Sequence, residues 1–173
     1  MIYTIGHSDR SIEGFLDLLR AHGIEEVVDV RRFPGSRRHP HFGAEALRAS
    51  LAQAGIGYHH VEALGGRRGR PAPDSPNNGW RVASFQAYAD RMAEPEWLDA
   101  LGALERRAGQ RRVALMCSEA VPWRCHRRLI ADALVVRGWD VGHIIGTGAV
   151  RPHELQDFAR PLPDGRIVYP AER

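Results

Sequence analysis

Residues 117–128, Cys-Ser-Glu-Ala-Val-Pro-Trp-Arg-Cys-His-Arg-Arg, hold two thiols, a carboxylate, an imidazole and three arginines in one short run. Such a set offers three kinds of chemistry. A strand-end cysteine followed by a loop, an arginine and a helix is the order used by thiol phosphatases and sulfurtransferases, with Cys117 as nucleophile. The loop from Cys117 to Arg124 is longer than a phosphatase loop, however, and lacks its glycines. A second chemistry is metal binding, since thiolate with imidazole suits zinc or iron. Cys117, Cys125 and His126 are the candidate ligands, with Glu119 and His7 as further donors, although Cys-x7-Cys-His is not a standard zinc spacing. The third needs no metal. Glu119 serves as acid or base, His126 or His7 as its proton partner, and Arg31 with Arg127 as an anion clamp. This cofactor-free polar pocket is the expectation carried forward. Its plain alternative is two core thiols and a structural ion pair at Glu119.

Other residues could join that pocket. Gly6-His7-Ser8 follows the first apolar run, and Asp29-Val30-Arg31 ends the second. Alternate residues of a strand share a face, so Asp29 and Arg31 point the same way, as an ion pair or as a functional couple. Arg37-Arg38-His39-Pro40-His41-Phe42 and Gly65-Gly66-Arg67-Arg68-Gly69-Arg70 carry guanidinium groups suited to phosphate. The catalytic candidates are therefore His7, Asp29, Cys117, Glu119 and His126. The substrate-binding candidates are Ser8, Arg31, Arg37, Arg38, Arg67, Arg68, Arg124 and Arg127.

The elements that must position these residues follow from pattern. Residues 1–5, 25–30, 57–61, 111–116 and 140–145 read as short strands, and Ser11 caps a helix closed by Gly23. Further helices are expected at 44–54, 84–93 and 95–107, then from Pro122 to Gly138, with a short one near 153–158 and an edge strand at 166–169. Strands alternating with helices predict an α/β fold: a mainly parallel sheet of about five strands with helices on both faces, three-layered and Rossmann-like. Residues 1–173 form one domain, with a long Gly/Pro/Arg-rich loop at about 64–82 as a candidate lid. In such sheets ligands bind beyond the carboxyl ends of the strands, which is where the polar motifs fall.

Composition narrows the partners. All 24 basic residues are arginine. The stretch from Arg31 to Arg70 holds eight of them against Glu45 and Glu62, a local charge of +6 in a chain of net +3. That patch fits an anionic ligand or a nucleic-acid backbone. No apolar run is long enough for a membrane span, and residues 1–10 do not read as a secretory signal, so the expected location is the cytoplasm and no membrane partner is expected. Two cysteines do not make a secreted disulfide framework, and a reduced pair is expected there.

The motifs TIGHSDRS, DVRRFPGSRRHPHF, YHHVEALGGRRGR, FQAYADRM and LMCSEAVPWRCHRRLIADAL, in this order, resemble the domain of unknown function 488 family from Ile2 to about Ile145. The resemblance carries over onto Gly6, His7, Ser8, Asp29, Arg31, Pro34, Ser36, Phe42, Tyr58, Leu64, Gly65, Gly66, Tyr88, Cys117, Glu119, Cys125, His126 and Arg127. It implies a fold and a site but no substrate. The expected function is an enzyme, hydrolase- or lyase-like, acting on a phosphate-bearing small molecule or nucleic acid. The alternatives are a non-catalytic nucleic-acid-binding accessory protein and a Cys/His metal or redox module.

Overall fold

The computed structural model describes residues 1–66 and 69–172. Strands β1 (Ile2–Gly6) and β4 (Val113–Cys117) are buried along their whole length, because a central parallel strand has helices over both faces. Helix α1 (Ile12–Ala21) begins where the Ser11 hydroxyl accepts from the Gly14 N–H, and it buries Phe15, Leu18 and Leu19. Gly23 ends it at φ 65°, a left-handed turn that a glycine adopts without strain. Strand β2 (Glu26–Asp29), helix α2 (Ala44–Gln53) and strand β3 (Gly57–His60) follow. Helices α3 (Ala83–Arg91) and α4 (Pro95–Ala108) precede β4, and α5 (Arg127–Val136) and β5 (Val141–Ile144) come after it.

Among the described residues the main sheet has six strands, in the order β3-β2-β4-β1-β5-β6, where β6 is Arg151–Pro152. Every pairing is parallel except β5 with β6. The two-residue period of the strands divides the core. Tyr3, Ile5, Val27, Ala114 and Met116 pack under α1 and α2. Ile2, Val28, Val113 and Leu115 pack on the opposite face with Trp97, Leu101, Leu129 and Leu134 of the later helices. The result is the expected three-layer α/β fold. Each fully buried aliphatic side chain contributes about 1.5–3 kcal/mol, so the two half-cores dominate stability.

The connections give this sheet its crevice. Chains leaving β1 and β2 turn to α1 and α2 on one face, whereas the chain leaving β4 turns to α5 on the other. Since β4 lies between β1 and β2, the three loops part in opposite directions above its carboxyl end. Register places Gly6 beside Cys117, and Asp29 beside Met116 on one side and His60 on the other.

Four expectations change. The helix expected from Pro122 is one 3-10 turn, Pro122–Arg124, after which Cys125 is extended and α5 starts at Arg127. No helix forms at 153–158, because the His153 N–H bonds to the Val141 carbonyl and holds the chain beside β5. The expected edge strand at 166–169 is instead β8 (Ile167–Val168), paired with β7 (Arg160–Pro161) in a separate ribbon. The described part of the long loop is clamped and not lid-like. Asn77 donates to Asp90 at 2.8 Å and accepts from the Tyr169 N–H, while Gly79 N donates to Tyr169 and Asn78 accepts from Ala171. A Cβ on Gly79 would lie 2.7 Å from the Pro170 carbonyl oxygen, so only glycine lets these strands of chain meet. No helix among the described residues is long and apolar enough to cross a membrane.

Candidate functional site

Cys117 is the last residue of β4, and Cys125 precedes α5 by two residues. The extended backbone at Cys125 turns its sulfur back over the strand end, and the two cysteines are joined as a disulfide. The reduced pair expected from the sequence is thus corrected. Both residues are buried, at 2% and 3% exposure. The His126 ring stands beside them. Its Nε2 lies 2.9 Å from the Val30 carbonyl oxygen, which can only accept, so Nε2 carries a proton and donates it there. That Nδ1 faces Cys125 Sγ at 3.6 Å, and the Arg127 backbone N–H points at the same sulfur.

The loops after β1 and β4 are joined backbone to backbone. His7 N bonds to the Cys117 carbonyl and Ser8 N to the Ser118 carbonyl. A Cβ on Gly6 would fall 1.7 Å from the Glu119 carbonyl oxygen, so no other residue permits this approach. Ser8 takes φ 50°, a left-handed conformation that a non-glycine residue adopts at a cost. His7 Nδ1 donates to the Ser8 carbonyl at 2.8 Å and closes the turn. Its Nε2 therefore accepts, from Arg31 Nη1 at 3.4 Å. Burial, with the Arg31 charge adding to it, holds His7 neutral and lowers its pKa to about 4. The Phe42 ring stacks on it at 4.4 Å.

Asp29 is fully buried, and four donors surround it: Arg31 Nε at 2.9 Å, Arg31 Nη2 at 2.7 Å, the Arg31 backbone N–H at 3.1 Å and the Tyr58 hydroxyl at 2.6 Å. An ionised carboxylate out of water requires such pairing. Burial first, and Asp29 second, push the Tyr58 phenol upward. The imidazoles of His60 and His126 donate to the carbonyls of Arg31 and Val30, so the chain leaving β2 is pinned on both sides. Arg127 is buried as well. Its Nη2 donates to the Glu119 backbone carbonyl at 2.7 Å and its Nη1 approaches the Thr4 hydroxyl at 3.4 Å. Burial lowers its pKa to about 10, opposed by the Glu119 charge.

The predicted residues therefore separate into groups. His7, Asp29 and Arg31 form one contiguous polar cluster, and Cys117, Cys125 and His126 form another beside it. The two arginines expected to clamp an anion direct donors inward, Arg31 to Asp29 and Arg127 to Glu119 and Thr4. Glu119, Arg37, Arg38 and Arg124 are exposed, and Ser8 is half-buried. Arg67 and Arg68 lie outside the described residues. Three potential metal-ligand atoms, of Cys117, Cys125 and His126, lie within 4.8 Å of one another; Glu119 and His7 are not part of that group.

The model of the family described as Domain of unknown function DUF488 matches residues 11–134. The chain belongs to the DUF488 family. The matched span contains Asp29, Arg31 and residues 117–127, and leaves out Gly6-His7-Ser8 and everything after α5 begins its last turn. No curated protein and no solved structure matches the chain.

Part of the polar interior of this DUF488 chain escaped sequence reasoning. Arg127 Nη1 leads to the Thr4 hydroxyl, Thr4 to His143 Nδ1 at 2.6 Å, His143 Nε2 to His153 Nδ1 at 2.9 Å, and His153 Nε2 to Asp132 at 2.7 Å. The Tyr169 hydroxyl reaches the other Asp132 oxygen at 2.8 Å. Because a carboxylate only accepts, the directions are fixed: each group donates toward Asp132. Burial, then His153, lowers the His143 pKa to about 3. The one signal in the sequence is a polar residue at the centre of an apolar strand, Thr4 in YTIG and His143 in VGHI, and register pairs those two. A cavity of about 260 Å³, lined by Trp123, Arg128, His143, Arg151 and His153 among others, opens over this chain and not over the sulfur pair.

Proposed function

We propose that this DUF488 chain is a thiol–disulfide redox protein whose centre is Cys117–Cys125. The observation that carries the reading is the placement of the sulfur pair at the crevice between oppositely directed loops, with His126 Nδ1 and the Arg127 N–H both turned to Cys125. A helix start and a backbone N–H favour a thiolate, so Cys125 is the better leaving sulfur. In the reductive direction a small thiolate attacks Cys117 Sγ, the sulfur–sulfur bond breaks and its electron pair stays on Cys125. A second external thiol then resolves the mixed disulfide. In sum, two external thiols become one external disulfide, and two electrons and two protons pass to the protein pair. Burial of both cysteines suits a small thiol and not a protein partner. In the cytoplasm, the location proposed from the sequence, such a pair is reduced at rest and oxidised in turnover.

Equilibration in mixtures of a small dithiol and its disulfide, followed by thiol counting by mass, tests this. The expected outcome is a single two-electron transition involving both cysteines, and a mixed disulfide trapped on Cys117 in Cys125→Ser. A pair that exchanges with no small thiol in the folded protein would refute it. The sequence-based reading of a phosphate-bearing substrate keeps one specific support: Arg37, Arg38 and Arg124 are exposed. Such a substrate would be held there, with Arg31 and Arg127 serving the scaffold.

A further inference from the structure

We propose that the reduced pair, with His126, forms a binding site for one thiophilic divalent cation of the zinc class, with its fourth position left to an external ligand. The inference rests on the redox reading above, because only the reduced pair supplies two thiolates. Cys117 Sγ, Cys125 Sγ and His126 Nδ1 lie within 4.8 Å of one another. Tetrahedral zinc, with sulfur at about 2.3 Å and nitrogen at about 2.0 Å, sets a sulfur and a nitrogen ligand about 3.5 Å apart. Cys125 Sγ and His126 Nδ1 are 3.6 Å apart.

Backbone spacing agrees. The Cα atoms of Cys117 and Cys125 are 7.7 Å apart, beyond the usual range of about 4.4–6.8 Å for disulfides, so the two thiolates can separate without pushing strand and loop apart. The outer shell agrees as well. A metal-ligating imidazole donates its other N–H to a carbonyl or carboxylate, as His126 Nε2 does to Val30. A backbone N–H faces the Cys125 sulfur, which offsets thiolate charge. Gly66 lets the His126 ring keep this place, since a Cβ there would press on the ring face, 2.9 Å from Nδ1 and 3.3 Å from Cγ and Cε1. The balance is simple: both thiols lose a proton, the cation takes the two thiolates and the neutral imidazole, and nothing is oxidised. The disulfide form and the metal form exclude each other.

Titration of the full chain with Co²⁺, after reduction by a phosphine, tests the site. One Co²⁺ per chain with thiolate-to-metal charge-transfer absorption is expected, displaced by Zn²⁺ and absent from the oxidised protein. His126→Ala should weaken binding by more than the roughly 10–100-fold that outer-shell changes cost, and Gly66→Ala by an amount within that range. Should His126→Ala fold poorly, Zn²⁺ protection of both thiols from alkylation in the wild-type chain replaces it. A reduced chain with two countable thiols that takes up no Co²⁺ and gains no protection overturns the metal site and leaves the redox reading standing. A pair that never reduces in the folded chain overturns the redox reading first and the metal site with it. Undiminished binding in His126→Ala overturns the assignment of the third ligand.

Discussion

The sulfur crevice and the histidine chain both touch Arg127, yet they are built on opposite principles. In the chain from Thr4 to Asp132 each donor meets an acceptor and the series ends on a carboxylate that takes two donors. It leaves no group to change partners. In the crevice the central atoms are two sulfurs whose bond can open, next to the imidazole Nδ1 of His126. Buried polar groups of the first kind stabilise one arrangement of the fold, whereas those of the second kind can be occupied or altered without dismantling it. Proximity to a cavity does not decide which is which, because the cavity lies over the closed chain.

The largest expected effect breaks the closed chain. Asp132→Ala strands the donors of His153 and Tyr169 in a buried site and should cost about 1–3 kcal/mol for each in urea unfolding, with the thiol count per folded chain unchanged. A cost below about 1 kcal/mol would mean that the chain is not a structural unit. Acidification comes next and sharpens the contrast. His7 and His143 are neutral in the fold and titrate near 6.5 when unfolded, so the unfolded chain binds more protons below that pH. Stability should therefore be full above pH 6.5 and fall as pH drops to about 4, by up to about 3 kcal/mol from His7. Between about 4 and 3 only His143, on the closed side, still contributes. Unfolding curves of wild type and His7→Asn across that range separate the two sides.

Cutting the sulfur bond should cost less. The loop it closes is short, and Cys117→Ser is expected to lower stability by roughly 2 kcal/mol while abolishing the two-electron transition. Equal loss of stability and of histidine-chain order, read from imidazole NMR signals, would mean that the two regions are not separable. The smallest effect on stability belongs to the rim. Arg37→Ala with Arg38→Ala should change unfolding by no more than about 0.5 kcal/mol. If the phosphate-bearing substrate is bound there, the same pair should reduce the salt dependence of nucleotide or DNA binding by about two charges.

The fold was readable because its signals were local: apolar strands ending in Gly6, Asp29 and Cys117, and helices stopped by Gly23 and Gly138. The Asp29–Arg31 couple was readable for the same reason, since strand alternation alone aligns it. The disulfide was not, because it depends on one extended residue, Cys125, between a 3-10 turn and a helix. Neither was the inward-facing Arg127, whose partners Thr4 and the Glu119 carbonyl are brought in by sheet register and loop path. The histidine chain lay furthest from view. It draws on β1, α5, β5 and two irregular tail segments, and no spacing along the chain connects them.

The clasp between residues 77–79 and Tyr169 with Ala171 bears on how the chain is made. Synthesis runs from the amino end, so β1 to β4 and α5 exist well before Tyr169 does. Until then Trp80 lacks the cover of Phe158 and Tyr169, and Asp132 lacks one of its donors. A nascent chain therefore carries an apolar, half-satisfied face that closes only once residues 158–171 have been made, and for that interval it is a client for whatever holds unfinished proteins apart.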